Sequence, residues 1–237
     1  MSTIKETVFS HAVALTQAGR LKNTIYCGGS EIFIFNQDKT VLLNFTLPSR
    51  EPGIKGEVAF VANDYDSSRF KEENGQIIFT SSEGEYVRTK TCKAPEKKFS
   101  DIQGLYEAYL KKDSHYVDAR FEKSVVSLMD ESLSHIEMSV QGGIPKIVQR
   151  DIYTGSTIEI TPQPSVLGLS FAAGDENISP VGIRTNDFVA LFTFCNFITF
   201  SLSKAEKFAF ITGDRFEMQG VISLCEYDEL GELSESM

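Results

Sequence analysis

Residues 178–229 read ISPVGIRTNDFVALFTFCNFITFSLSKAEKFAFITGDRFEMQGVISLCEYDE, and the order of elements in them decides the fold. The run PVGIR leads into TNDFVALFTF, where Thr185 or Asn186 stands as a helix cap ahead of apolar residues. FITFSLS, KFAFITG and FEMQGVISLCEYDE follow as antiparallel strands rich in aromatic and β-branched residues. Residues 56–95, GEVAFVANDYDSSRFKEENGQIIFTSSEGEYVRTKTCKAP, carry the same order in the first half. GEVAFVA reads as a strand, Asn63-Asp64 caps a short helix DYDSSRFKEE closed by Asn74-Gly75, and QIIFTSS and EYVRTKTCKAP are strands.

The segments ahead of these two also match. TVFSHAVALTQAGRL, residues 7–21, places Val8, Ala12, Leu15 and Ala18 at helical spacing, with Gly19 or Asn23 as a stop. NTIYCGG, SEIFIFN and KTVLLNFTLP are strands joined by Gly28-Gly29 and by Asn36 to Lys39. In the second half, ARFEKSVVSLMDESLSH predicts a helix with Phe121, Val125, Leu128 and Met129 on one face. HIEMSVQGGIPKIVQRD is then a strand, Gly142-Gly143 and a strand, with STIEITP and VLGLSFAAG beyond. The two Gly-Gly turns lie 142 − 28 = 114 residues apart, and the caps of the second helices 186 − 63 = 123 apart. Two landmarks thus agree on a repeat of pattern, with an insertion near Gln163 to Ile178. The predicted division is a first module over 1–95, a connector over 96–118 with an amphipathic turn or helix around Ile102, Leu105, Tyr106 and Tyr109, and a second module over 119–237. Each is an α+β unit with two helices on one face of an antiparallel sheet.

Composition narrows the function. The chain has 237 residues, 41% of them hydrophobic, and a formal net charge of −10. That length buries real cores, and no stretch approaches the roughly 18 apolar residues of a membrane span. The first twenty residues lack the basic start and apolar run of a signal peptide, so the expectation is a soluble intracellular protein, cytoplasmic or nucleoid-associated and not secreted. Cys27, Cys92, Cys195 and Cys225 lie far apart, as do His11, His115 and His135, which argues against a zinc site and for reduced, buried thiols.

Motifs of catalysis do not appear. The sequence has no G-x-x-x-x-G-K-[ST] phosphate loop, no G-x-G-x-x-G, no G-x-S-x-G and no H-E-x-x-H. Asp64-Tyr65-Asp66 could suggest metal-dependent chemistry, but acids at this place read more simply as first-turn residues that favour the dipole of the predicted helix. The chain is expected to be no enzyme and to need no cofactor or metal.

Two matching modules in an acidic, non-catalytic chain resemble the DNA sliding clamp family, which includes proliferating cell nuclear antigen and phage polymerase processivity factors. The likeness rests on residues 178–229 and 56–95 and extends as architecture from about Thr7 to Glu229. It implies a six-module ring built from three chains, a homotrimer whose edge strands pair head to tail. It implies that helices line a hole around double-stranded DNA, which is encircled without sequence specificity, and that DNA polymerase and a clamp loader are partners. The implied DNA-binding cations are Arg20 and Lys22 after the first helix, Arg69 and Lys71 on the second, Arg120 and Lys123 on the third, and Arg184 before the fourth. The implied partner-peptide residues are Leu224, Cys225 and Tyr227 on the terminal strand. Two other readings suit the composition: a β-rich virion or assembly protein, and a single-stranded DNA-binding or transcription accessory protein. The second needs exposed aromatics among Lys and Arg, whereas here the aromatics mostly alternate with Ile and Val.

Overall fold

A computed structural model describes residues 3–20, 22–67, 69–112, 114–151, 153–161, 177–227 and 233–234. The chain forms two compact units, Met1–Lys112 with Phe216–Gly220, and Asp113–Arg215 with Val221–Met237.

The first unit opens on α1 (Ile4–Gln17), three residues ahead of the expected start. Thr3 and Glu6 form a reciprocal capping box, the Thr3 side chain accepting from the Glu6 amide and the Glu6 carboxylate from the Thr3 amide. The Glu51 carboxylate accepts from the Ile4 amide as well. Val8, Phe9, Ala12, Leu15 and Thr16 form the buried face. Ala18, expected on that face, is instead the exposed C-cap, and Gly19 at φ +71° turns the chain away.

β1 (Asn23–Gly29), β2 (Glu31–Asn36), β3 (Val41–Thr46) and β4 (Ile54–Val61) make an antiparallel sheet in the order β4-β1-β2-β3. Strand alternation gives it two faces. Asn23, Ile25 and Cys27 share the face of α1, where the Asn23 side-chain amide donates to the Ala12 carbonyl. Tyr26, Gly28, Phe33 and Phe35 share the other, which carries α2 (Phe99–Leu110). Phe33 packs on Phe99 and Tyr106 with ring centroids 5.5 and 5.6 Å apart. A Cβ on Gly28 would stand 2.8 Å from the Phe99 ring, so only glycine allows this approach. The first unit therefore holds α1 on one face of the sheet and α2 on the other. The stretch 96–118, expected as a connector, contains α2.

The expected helix over DYDSSRFKEE is also absent. Ala62–Asp64 makes one 3₁₀ turn, and the chain then extends into β5 (Phe70–Glu73), which pairs with β6 (Gln76–Glu83) and, beyond it, β7 (Tyr86–Lys93). Asn74 and Gly75 have φ of +53° and +72°, so they form a two-residue hairpin turn, not a helix C-cap. Asp64 and Asp66 serve no helix dipole beyond that single turn. Asp66 pairs with Arg88 at 3.2 Å, and Lys90 donates to the Asp64 carbonyl at 2.8 Å. The core beneath α1 is aromatic: Phe9, Phe60, Tyr65, Phe70 and Phe79 meet at centroid distances of 5.2–6.1 Å.

The second unit starts with β8 (Val117–Glu122) where the sequence predicted a helix. Val117, Ala119 and Phe121 are buried while Asp118, Arg120 and Glu122 are exposed, the period of a strand. Residues Lys123–Leu128 then form a 3₁₀ helix that buries Val125 and leaves Leu128 exposed. β9 (His135–Gln141), β10 (Ile144–Arg150), β11 (Thr157–Ile160) and β12 (Ile178–Arg184) follow, in the sheet order β11-β10-β9-β12. After α3 (Thr185–Leu191), β13 (Phe197–Leu202), β14 (Phe208–Gly213) and β15 (Gln219–Ser223) follow, in the strand order β15-β14-β13-β8. Arg184, not Thr185 or Asn186, is the N-cap of α3. Phe188 of α3 stacks on Phe200 at 5.4 Å and meets the edge of Phe121. The strand expected over VLGLSFAAG lies outside the described residues.

The repeat thus holds at the level of strand order. β1 to β4 and β9 to β12 make the same four-stranded arrangement, and β5-β6-β7 corresponds to β13-β14-β15. The helical content differs: where one unit has α1 the other has a 3₁₀ helix, and the position of α3 is a 3₁₀ turn in the first unit.

Cys27 and Cys195 are buried and Cys92 and Cys225 half-buried, all four as free thiols. Burial pushes the Cys195 thiol up to about 11 and raises Cys27 further still. Both stay neutral at pH 8, and the thiolate is the reactive form. Ellman's reagent at that pH is expected to reach only Cys92 and Cys225 in the native protein and all four thiols in denaturant. Rapid reaction of a third thiol in the native protein would contradict the packing around β1 or around the end of α3.

Candidate functional site

In neither unit do the expected DNA-contact cations share one surface. Arg20 is half-buried just past α1, and its amide donates to the Leu15 carbonyl. Arg184 caps α3, and Lys123 opens the 3₁₀ helix, where its amide donates to the Asn196 carbonyl. These three stand at helix ends. Lys71 and Arg69 belong to β5 and the residue ahead of it, not to a helix. Phe70 packs on Phe9 of α1, so by alternation Lys71 points to the opposite side, where its ammonium pairs with the Glu73 carboxylate at 2.6 Å. That ammonium pulls the Glu73 carboxyl below its usual range. Arg120 likewise lies on the exposed side of β8, away from Phe121 and α3, with its guanidinium 4.8 Å above the Phe197 ring. Lys22 lies just ahead of β1 and lines a cleft that also reaches Phe35 and Lys97.

The exposed side of α1 itself is nearly uncharged: Ser10, Ala14, Gln17 and Ala18. On α3 only Asn186 is exposed. A helical surface of this kind holds phosphates weakly, because each neutralised phosphate needs a cation near it.

Two of the three expected peptide-binding residues, Leu224 and Cys225, line a groove of about 270 Å³ in the second unit. β12 is an edge strand, so Pro180, which has no N–H to donate, is tolerated there, and the register slips between Ile178 and Val181. Ile178, Val181 and Leu224 give the groove apolar walls, and Ser203, Lys204 and Lys207 a polar rim. Cys225 is pinned to β12 by two backbone hydrogen bonds with Gly182, at 2.8 and 2.9 Å. Tyr227 lies on β16 (Glu226–Tyr227), paired with Leu233 of β17 (Leu233–Ser234). The structure brings Leu224 and Cys225 together on this groove. The sequence did not point to Ile178, Val181 or the 203–207 loop, since three segments distant along the chain meet here.

Among the described residues no group of three or more His, Cys, Asp or Glu could hold a metal ion. No helix among them is long and apolar enough to cross a membrane.

No protein-family model matches the sequence, and no curated protein matches it. Solved structures do. The chain superposes on the DNA polymerase III beta chain of Streptococcus pneumoniae with a TM-score of 0.63 at 10% identity, over 92% of this chain and 63% of that one. This chain has the sliding-clamp fold. It matches a structure of the PCNA2–PCNA3 complex of Sulfolobus tokodaii with a TM-score of 0.59 at 12% identity, over 91% of this chain and 96% of that one. It also matches the Helicobacter pylori beta clamp bound to a DNA ligase peptide, with a TM-score of 0.62 at 9% identity, over 93% of this chain and 62% of that one. The chain thus spans less than two thirds of the beta clamps and nearly all of the PCNA chain. Clamp architecture here survives with a 3₁₀ turn or helix at two of its helical positions.

Proposed function

We propose that this protein is a non-catalytic DNA sliding clamp, a homotrimeric ring that encircles duplex DNA and tethers a polymerase. The observation that carries the reading is the double occurrence of one strand order, together with β7 and β11, which each end a sheet. Two modules per chain make six in three copies, and β7 of each protomer pairs with β11 of the next to close the ring. Closure would also remove two strand edges that would otherwise invite unspecific pairing. The match to a PCNA chain over 96% of its length supports the two-module count.

Within this reading Arg20, Lys123 and Arg184, at the helix ends, face the DNA. Lys71 and Arg120, on sheet faces turned from the helices, take no part. Arg69, which lies outside any helix, is a secondary contact at most, and Lys22, in a cleft on the α2 side of the sheet, takes no part. Partner peptides dock in the groove at Ile178, Val181, Leu224 and Cys225, with Tyr227 beyond its end; the Helicobacter pylori beta clamp bound to a DNA ligase peptide supports this reading. The polymerase and a clamp loader would use that groove in turn.

The test is topological. Protein incubated at high concentration with a nicked circular DNA is expected to stay on the circle through gel filtration in salt that strips electrostatic contacts, and to leave once the circle is cut to a linear form. Equal loss from circular and linear DNA would overturn the reading.

A further inference from the structure

On the α2 side of the first unit, three lysines meet at one cleft of about 350 Å³. Lys22 comes from the start of β1, Lys39 from the β2–β3 turn and Lys97 from the residues before α2. In a chain of net charge −10 this is a local inversion of sign, and no acidic residue lines the cleft. None of the three ammonium groups makes an ion pair or hydrogen bond with another described residue, although five other cations do.

The lysines are also held in place. The Gln37 amide donates to the Lys22 carbonyl at 2.7 Å, which fastens the turn to the start of β1. The Asn36 side-chain oxygen accepts from the Thr40 and Val41 amides, both at 2.9 Å. Lys97 stands over the Phe35 ring, 5.5 Å from its centroid. Lys39 sits at φ +61°, a left-handed conformation that glycine or asparagine adopts with less strain. Strained residues of this kind gather at functional sites.

The floor says what kind of anion fits. Phe35 and Tyr26 are only 8% and 4% exposed, so their faces are not offered to stacking bases, as a single-strand site would require. Val61, at 40% exposure, is open to an aliphatic side chain. We propose that the Lys22–Lys39–Lys97 cleft is a docking site for an acidic peptide segment of a partner protein, its carboxylates held by the three ammonium groups and an apolar side chain laid against Val61. The site is separate from the groove at Leu224, and its occupancy does not depend on ring closure.

The experiment is fluorescence anisotropy on the full chain with a labelled peptide of alternating aspartate and leucine. The native protein is expected to bind it, more weakly as salt rises. The triple charge reversal Lys22→Glu, Lys39→Glu, Lys97→Glu should weaken binding by roughly tenfold or more, since each attraction becomes a repulsion. The corresponding triple Lys→Gln variant, which removes the charge and keeps a polar side chain one atom shorter, should lose most of the affinity with an unchanged melting curve, and it stands in if the charge reversal fails to fold. No binding by the native protein, or equal binding by the folded Gln variant, would overturn the proposal. So would tighter, lysine-dependent binding of an oligothymidylate, which would make the cleft a nucleic-acid site.

Discussion

Phe60→Ala is expected to destabilise the first unit by about 3–5 kcal/mol, the usual range when a large aromatic leaves a packed core. Phe60 is fully buried on β4 and touches four other rings: Phe9 of α1, Tyr65, Phe70 of β5 and Phe79 of β6. It therefore joins the helix to both sheets of its unit, and its loss opens a cavity that no neighbour can fill without moving α1. Urea unfolding followed by circular dichroism would give the size of the effect, and the rate at which Cys27 labels would show where it acts, since Cys27 shares the α1 face of the sheet. Tyr86→Ala, at a residue 84% exposed, is the control and should change stability little. A loss below about 1 kcal/mol for Phe60→Ala would mean that the aromatic cluster does not hold the unit together.

The second large effect concerns assembly. Thr89→Pro combined with Thr91→Pro is expected to convert the proposed trimer of three 26.4 kDa chains, about 79 kDa, to monomer while leaving the protomer folded. Glu83 and Tyr86 face one another across the two-residue turn Gly84-Glu85, and such a closing pair exchanges both backbone hydrogen bonds. Bonding then alternates, so Arg88 and Lys90 turn their amides to β6, and Thr89 and Thr91 turn theirs to the open side. The bond from the Thr80 amide to the Arg69 carbonyl, at 2.9 Å, agrees, since it turns Thr80 away from its partner Thr89. Proline at 89 and 91 removes only outward donors and is compatible with an edge strand. Sedimentation across a concentration series measures the outcome. A trimer that survives both prolines would show that β7 is not the joining edge, whatever else holds the copies together.

The strands of the two four-stranded sheets were legible because apolar alternation and Gly or Asn turns coincide in runs such as NTIYCGG and HIEMSVQGG. The failures have separate physical causes. RFKEEN was read as helix from its charged, helix-forming residues, although the following Asn74-Gly75 was the stronger hairpin signal. VDARFE alternates in and out as a strand, but Phe121 also fell at helical spacing from Val125 and Leu128, and the two periods cannot be separated over so short a run. The cation set suffered most from this. On a strand a one-residue change reverses the face, so Lys71 and Arg120 lie opposite Phe70 and Phe121, on strands that stand where their helices were expected. The clamp resemblance implies Leu224 from its place on the terminal strand, but the groove beside it depends on a register slip between Ile178 and Val181 that spacing does not encode.

The left-handed backbone of Lys39 has a consequence for how this surface was shaped. A non-glycine residue in that conformation costs on the order of 1 kcal/mol, an amount that a single change to glycine would largely recover. A chain optimised for thermal robustness alone would have made that change, or used asparagine. If the proposed cleft binds a partner, lysine at this corner is a small concession of stability to that role. Screens for thermostable variants should keep returning to position 39, and the most heat-resistant of them would be the ones to check for a lost partner.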